Sequence, residues 1–305
     1  MALGTLYISA FRTKIRSLQR ITRAMSSASN YQYQTLSVTS EREHVLHVQL
    51  NRPDRLNSMN RVFWTEILDC FNKIKNDEDC RVAVISGNGR MFSAGYDLDD
   101  MSEFMKVSDD NDIARKAKFL KKRLEKCQES FLAIENCQKP VVAAIHNACV
   151  GGAVDLVSTC DVRYCSENAR FVITEIDIGV AADLGILQRL PKIVGNDSLL
   201  REHIYTCKPI DSKTAMEIGI VSKIFPTKVA MMEAALDLAQ LIASKSPVAI
   251  QGTKISMNYS RDHTIQEGLE FIAIWNMAML QSDDVLKAAS AGMQKSKEPP
   301  KFLKF

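Results

Sequence analysis

Apolar and polar positions along the chain change period several times, and each change marks an element. Residues 44–50 (HVLHVQL) read as a strand, which Asn51-Arg52-Pro53-Asp54 breaks. Phe63, Ile67, Phe71 and Ile74 recur at helical spacing, so 60–75 is predicted as an amphipathic helix. Residues 81–87 (RVAVISG) and 141–145 (VVAAI) are short apolar runs of the kind a fully buried strand needs. Between them lie a turn at Asn88-Gly89-Arg90, a polar stretch at 101–112 expected to be loop, and a long helix at 113–136 that stops near Lys139-Pro140. A helix at 152–159 follows Gly151, then short strands at 161–165 and 171–173. From 229 onward the pattern is almost wholly helical, with segments 229–244, 247–258, 265–281 and 283–292. The sequence therefore predicts an α/β layered core domain over 34–228 and a helical C-terminal subdomain over 229–300. Met231, Met232, Met277 and Met279 give that subdomain more apolar surface than one helical layer uses, which suggests packing against other subunits.

Charge changes this picture at one end. Arg12, Lys14, Arg16, Arg20 and Arg23 lie in the first forty residues, and the first acid is Glu41. These five charges exceed the net +3 of the 305-residue chain, so the remainder carries −2. A slightly acidic body argues against a nucleic-acid partner. Residues 1–30 are Arg- and Ser-rich, and Leu6, Ile8, Phe11, Ile15, Leu18 and Ile21 alternate with the cations. That pattern predicts a mitochondrial transit peptide cleaved near Met25–Asn30, and hence a matrix location. The C-terminal Leu303-Lys304-Phe305 is not the Ser-Lys-Leu peroxisomal address. No apolar run is long enough to span a bilayer. The eight cysteines contain no Cys-x-x-Cys pair, fit a reducing compartment and give little support for a metal site.

Two glycine turns and three acids carry the candidate chemistry. Ala94-Gly95-Tyr96-Asp97-Leu98 and Gly151-Gly152 each allow backbone to approach a ligand, and Gly152 opens a helix whose first N–H groups have no intrahelical partner. Two such N–H groups aimed at one point make an oxyanion hole, although two ordinary turns look the same in sequence. Asp155 lies one turn into the helix, Glu175 follows Phe171-Val172-Ile173-Thr174, and Asp183 sits within Gly179–Leu187 among small and apolar residues. Carboxylates in such surroundings are candidates for general acid–base work, with capping or surface acids as the plainer reading. Asp161 and Arg163 lie on an alternating strand and suggest a structural ion pair or hydrogen bond, and His146 is read as structural or as lining the site.

Taken in order, Asn51-Arg52-Pro53 with Asn57 and Met59, Phe92–Leu98, Lys139–Ile145, Gly151–Leu156, Cys160–Tyr164 and Gln188–Pro191 resemble the crotonase (enoyl-CoA hydratase/isomerase) superfamily. The resemblance spans roughly residues 34–300. It implies a crotonase-like spiral of ββα repeats with helical C-terminal regions, assembled as homotrimers or homohexamers. It implies an acyl-CoA thioester substrate, with coenzyme A as part of the substrate and no other cofactor. By the same resemblance the N–H groups of Tyr96 and Gly152 form the oxyanion hole. Ala94, Gly95, Tyr96, Asp97, Leu98 and Gly152 line the substrate, and the Asn51–Asn57 region lies near the CoA nucleotide. The family's hydratases carry Glu where this chain has Asp155 and usually Gly where it has Asp183. The trio Asp155, Glu175 and Asp183 is instead similar to that of the superfamily's dienoyl-CoA isomerases, which work in fatty acid β-oxidation. A 2-enoyl-CoA hydratase and a non-catalytic RNA-binding member are the alternatives.

Overall fold

The computed structural model describes residues 30–106, 112–295 and 300–305. The predicted transit peptide and its cleavage region lie outside the described residues, apart from Asn30. Among the described residues nine strands form two sheets. In chain order they are β1 (Leu36–Arg42), β2 (Val45–Leu50), β3 (Val82–Gly87), β4 (Val141–Ile145), β5 (Ala148–Val150), β6 (Val162–Ser166), β7 (Arg170–Val172), β8 (Ile210–Asp211) and β9 (Lys223–Phe225). The larger sheet runs β1-β2-β3-β4-β6-β9, antiparallel only between β1 and β2, and the smaller runs β5-β7-β8.

Apolar residues on alternate positions explain why the larger sheet is covered on both sides. Leu46, Val48, Leu50, Ala83, Ile85, Val141, Ala143 and Ile145 join the main core. Their partners come from α1 (Arg61–Asn76) and α3 (Ile113–Glu135): Phe63, Ile67, Phe71, Ile74, Phe131 and Ile134. Val45, Val82, Val84, Val142, Ala144 and Tyr164 pack in a second cluster with Met231, Ala235, Ala239 and Ala243 of α8 (Lys228–Ala243). Those alanines recur every fourth residue, which lets the helix lie close on the strands. The first helix of the 229–300 stretch is thus a layer of the sheet, and α9 (Pro247–Ser260), α10 (Ile265–Met279) and α11 (Asp283–Met293) follow it.

Helix starts are written locally. Asn60, Asp112, Thr227 and Ser246 accept backbone N–H groups at the starts of α1, α3, α8 and α9, and Thr264 with Glu267 forms a capping box on α10.

One expectation is corrected, one is met, and one stretch holds elements that the sequence does not predict. The stretch expected as loop at 101–112 begins inside a helix, α2 (Leu98–Met105), whose first turn carries Asp99 and Asp100 against the N-terminal dipole. The structural ion pair or hydrogen bond expected at Asp161 and Arg163 is present: Asp161 Oδ2 accepts from the Val141 N–H and from Lys254 Nζ, both at 2.7 Å. Arg163 donates to the carbonyls of Ile220 and Cys160. The segment 186–218, left without elements by the sequence, contains α5 (Ile186–Ile193), α6 (Asp197–Thr206) and α7 (Ser212–Ile218), and β1 was also not anticipated.

Two successive ββα units position the chemistry. In β4-β5-α4, with α4 spanning Gly152–Ser158, and in β6-β7 followed by α5, the first strand enters the larger sheet and the second enters the smaller. The second strands β5 and β7 pair in parallel, Val150 opposite Val172. Residues just beyond their C-terminal ends, Gly151–Gly152 and Thr174–Glu175, are thereby brought together.

Candidate active site

Four segments from distant parts of the sequence meet at this edge. Residues 93 and 149 form a parallel bridge, as do Met59 and Tyr96. Val150 N–H donates to Ser93 O, Gly151 N–H to Val172 O, and Met59 N–H to Gly95 O. The turn 93–97 is thus fixed between the start of α1 and the end of β5. Gly95 has φ +84°, and a Cβ there would stand 2.4 Å from the Val150 carbonyl oxygen. Only glycine allows the two turns this approach. The Gly152 nitrogen is 3.5 Å from that same Cβ position, so the two predicted oxyanion-hole segments are immediate neighbours. Gly152 is the first residue of α4, where the helix supplies no acceptor for its N–H.

The three acids converge on the same place. A Cβ on Gly151 would lie 3.3 Å from Glu175 Oε1, which puts that carboxyl beside the turn. Its Oε2 is buried without a hydrogen-bond partner. Burial raises the Glu175 pKa, and the negative charge of Asp183 adds to the rise. Burial of the carboxyl also raises Asp183, although the residue as a whole is exposed. Asp155 is 1% exposed and is pushed up to about 7, first by burial and then by the charge of Glu175. Ile186 N–H, donating to Asp155 Oδ1 at 2.7 Å, and the guanidinium of Arg189 partly offset that rise. The three carboxyls therefore repel one another, and the fold holds them in a poorly solvated group that favours mixed protonation.

Residues that sequence reasoning passed over complete the surroundings. Trp64 of α1 and Phe131 of α3 have ring centroids 5.2 Å apart, and Trp64 lies 5.5 Å from the Tyr96 ring. Cys127 of α3 feels the charge of Asp183. Together they place an apolar wall beside the acids. The only trace of it in sequence was Trp64 beside the helical stripe of Phe63 and Ile67. Beyond Asp183 opens a cavity of about 770 Å³, whose lining includes Gln128, Leu132, Glu135, Gly185, Arg189 and Arg261.

The other expected contributors lie around the same turns. Asp97 is buried and pairs with Arg52 Nη1 at 2.8 Å, and it also accepts from Ser58 Oγ at 2.9 Å. Burial works to raise its pKa, but those bonds and the charges of Arg52 and Arg55 outweigh it and leave the pKa lowered. Its carboxylate thus secures the 93–98 turn to the loop before α1. Leu98 is exposed at the head of α2. Asn57 donates to the carbonyls of Asn88, Met91 and Phe92, so the Asn51–Asn57 region braces the same turn from behind. His146 Nε2 lies 3.0 Å from Gly89 O, and burial beside Lys228 lowers its pKa to about 4. It is a neutral strut. All eight cysteines are buried and free. Among the described residues no group of three or more His, Cys, Asp or Glu is arranged to hold a metal ion, and no helix is long and apolar enough to cross a membrane.

The chain matches known proteins over most of its length. The family model described as enoyl-CoA hydratase/isomerase matches residues 40–303. The chain is 50% identical over 291 residues to a Mus musculus protein named mitochondrial Delta(3,5)-Delta(2,4)-dienoyl-CoA isomerase, covering 93% of this chain and 89% of that one. It is 40% identical over 275 residues to a peroxisomal Arabidopsis thaliana protein of the same activity name, covering 89% and 98%. Among solved structures, an enoyl-CoA hydratase from Bacillus anthracis superposes with a TM-score of 0.78 at 25% identity, over 88% of this chain and 99% of that chain. The chain belongs to the enoyl-CoA hydratase/isomerase family.

Proposed function

We propose that this protein isomerises 3,5-dienoyl-CoA to 2,4-dienoyl-CoA in fatty acid β-oxidation. The observation that carries the reading is the meeting of three acids, all with raised pKa, beside the 93–97 and 151–152 turns. The relatives named for this activity support it.

An α-proton of a thioester is acidic only when the enolate is stabilised. Two backbone donors, the N–H groups of Tyr96 and Gly152, serve the carbonyl oxygen, each worth about 3 kcal/mol in the transition state. Glu175, ionised, takes the proton from C2. The negative charge then spreads along the conjugated chain to C6, where protonated Asp183 delivers a proton. The 3,5 double bonds become 2,4 double bonds, Glu175 ends protonated and Asp183 ionised, and exchange with solvent restores the starting state. The two positions are too far apart for one short carboxylate, which is why the reaction needs two. Asp155 sets the electrostatics of the pair and holds the start of α5. Residues Ala94–Leu98 line the acyl-CoA path, and the thioester is its own electron sink, so no metal or redox cofactor enters.

A hydratase would use the acids at 155 and 175 to hold water. Against this, one Asp155 oxygen already accepts from Ile186 N–H, and Asp183 places a third carboxyl where hydratases usually have glycine. The reading further proposes a homotrimer or homohexamer without a nucleic-acid partner, located in the mitochondrial matrix. The Arabidopsis relative is named peroxisomal, so location is tested by tagging the full chain and scoring import. Activity is tested by absorbance: 3,5-octadienoyl-CoA should gain the conjugated 2,4-dienoyl signal. Strong hydration of crotonyl-CoA with no such gain would replace the isomerase reading by the hydratase one.

A further inference from the structure

The turn that carries Asp183 has no regular secondary structure and is bounded by Gly179 and Gly185, both at positive φ. A carboxyl that must meet C6 of a bound chain cannot rest on so free a backbone unless something outside holds it. Three side chains do, at residues 183, 184 and 186. Gln128 Nε2, from α3, donates to the Asp183 carbonyl at 2.7 Å. Arg189 Nη1 donates to the Leu184 carbonyl at 3.2 Å, while its Nε and Nη2 are both fixed on Glu135 Oε2, at 2.9 and 2.8 Å. Asp155 accepts the Ile186 N–H. Gly185 is part of the same device, since a Cβ there would collide with Arg189 Nη1 at 1.9 Å.

These anchors differ in what they do. Asp155 belongs to the acid group itself, and Arg189 is a strut shared with Glu135 and, through Glu135 Oε1, with Arg261 at 2.8 Å. Gln128 donates to the backbone carbonyl of the very residue that bears the acid. Its side chain lies in the wall of the cavity beyond Asp183 and is only partly buried. We infer that Gln128 is a positioning residue for Asp183, setting the reach of its carboxyl to the distal end of the dienyl system without touching the substrate's reacting atoms. This rests on the assignment of Asp183 to C6.

The test is Gln128→Met, which keeps the volume and removes the donor. Displacing a reacting group by about 1 Å can cost a hundredfold. The variant should therefore isomerise 3,5-octadienoyl-CoA about ten- to a hundredfold more slowly, with KM within twofold and an unchanged melting temperature. The deciding readout is solvent exchange in D2O. With C6 protonation slowed and Glu175 intact, the dienolate returns to C2, so recovered substrate should gain deuterium at C2 more often per turnover than with the unaltered protein. Equal losses of exchange and isomerisation, or no loss of either, would overturn the role of Gln128. Asp183→Asn is the control. It should show the same partition in stronger form, and if it keeps isomerising, or loses C2 exchange, the assignment of Asp183 to C6 fails and the inference fails with it.

Discussion

Asp155 separates chemistry from architecture among the three acids, because one oxygen is committed to the Ile186 N–H while the group holds its proton up to about 7. In the unfolded chain that proton leaves near 3.8. The folded state therefore binds more protons across the interval between, and the contribution to stability is complete below about pH 4 and is lost as pH rises through 7. Asp155→Asn cannot titrate and still offers an oxygen to Ile186. Its melting temperature relative to the unaltered protein should improve by several degrees between pH 5 and pH 8. A difference that is flat with pH would mean that Asp155 is ionised in the folded state. Asp155→Ala leaves the N–H without an acceptor, at a cost of about 1–3 kcal/mol, and should be less stable at both pH values. For the other two acids the expected loss is catalytic. Glu175→Gln and Asp183→Asn should each lower kcat by about 10²- to 10⁴-fold with KM little changed, as removal of a proton-transfer group does. Near-normal turnover in either would remove that residue from the mechanism. These acids were visible in sequence because a carboxylate between apolar neighbours is conspicuous. The Asp155–Ile186 bond was not, since it joins residues 31 apart that no local pattern connects.

Elements show the same division between what is local and what is not. The long helices were legible because their apolar stripes repeat over several turns and their caps are adjacent in sequence. α5 and α7 are only 8 and 7 residues long, and α5 contains Pro191, so neither shows enough periods to read. β1 alternates buried Leu36 and Val38 with polar residues at an edge, which resembles loop composition. The turns gave glycine but not its purpose. Geometry now distinguishes them. Gly95→Ala meets the Val150 carbonyl at 2.4 Å in a backbone conformation that alanine resists, so the oxyanion-hole turns must separate. A fall in kcat of about 10²- to 10³-fold with unchanged far-UV circular dichroism is expected, the size of a lost donor. At Gly152 the nearest atoms to an added Cβ are Leu184 Cδ1 at 3.5 Å and Met59 Sδ at 3.7 Å, ordinary contacts. Gly152→Ala should fold with a melting temperature within about 2 °C of the parent, roughly 1 kcal/mol at this size. Lys139 illustrates an element end that sequence suggested only as a boundary. Its amine is buried and donates to the Ile74 and Asp77 carbonyls, closing the C-terminus of α1, while Lys254 donates to its own carbonyl at 3.0 Å. Lys139→Met removes those charged bonds and should cost about 2–3 kcal/mol, seen as a melting point about 5 °C lower. An unchanged melting point would show the amine to be dispensable.

At the scale of the whole molecule, the surface of the C-terminal helices does not suit a chain that stays alone. Only Gly268 of α10 is buried, whereas Ile265, Leu269, Ile274, Met277 and Leu280 are exposed, as are Leu286 and Met293 of α11. Burying one such side chain is worth about 1.5–3 kcal/mol, so a face of this kind favours association. The segment between the two reacting acids is also apolar and uncovered, with Ile176, Ile178 and Val180 exposed. One assembly covering both regions would explain why so open a turn carries Asp183, since a neighbouring subunit would then complete its walls and exclude water. Two measurements follow. Sedimentation at micromolar concentration should give a mass that is a multiple of the chain, and a single-chain mass would end the proposal of a trimer or hexamer. Replacing Met277 and Leu280 together by Glu should give a smaller species with the same far-UV spectrum. If the catalytic turn depends on its neighbour, that species should also isomerise at least tenfold more slowly. Full activity in a dissociated chain would show instead that the turn bearing Asp183 is ordered by its own tethers at Gln128, Arg189 and Asp155.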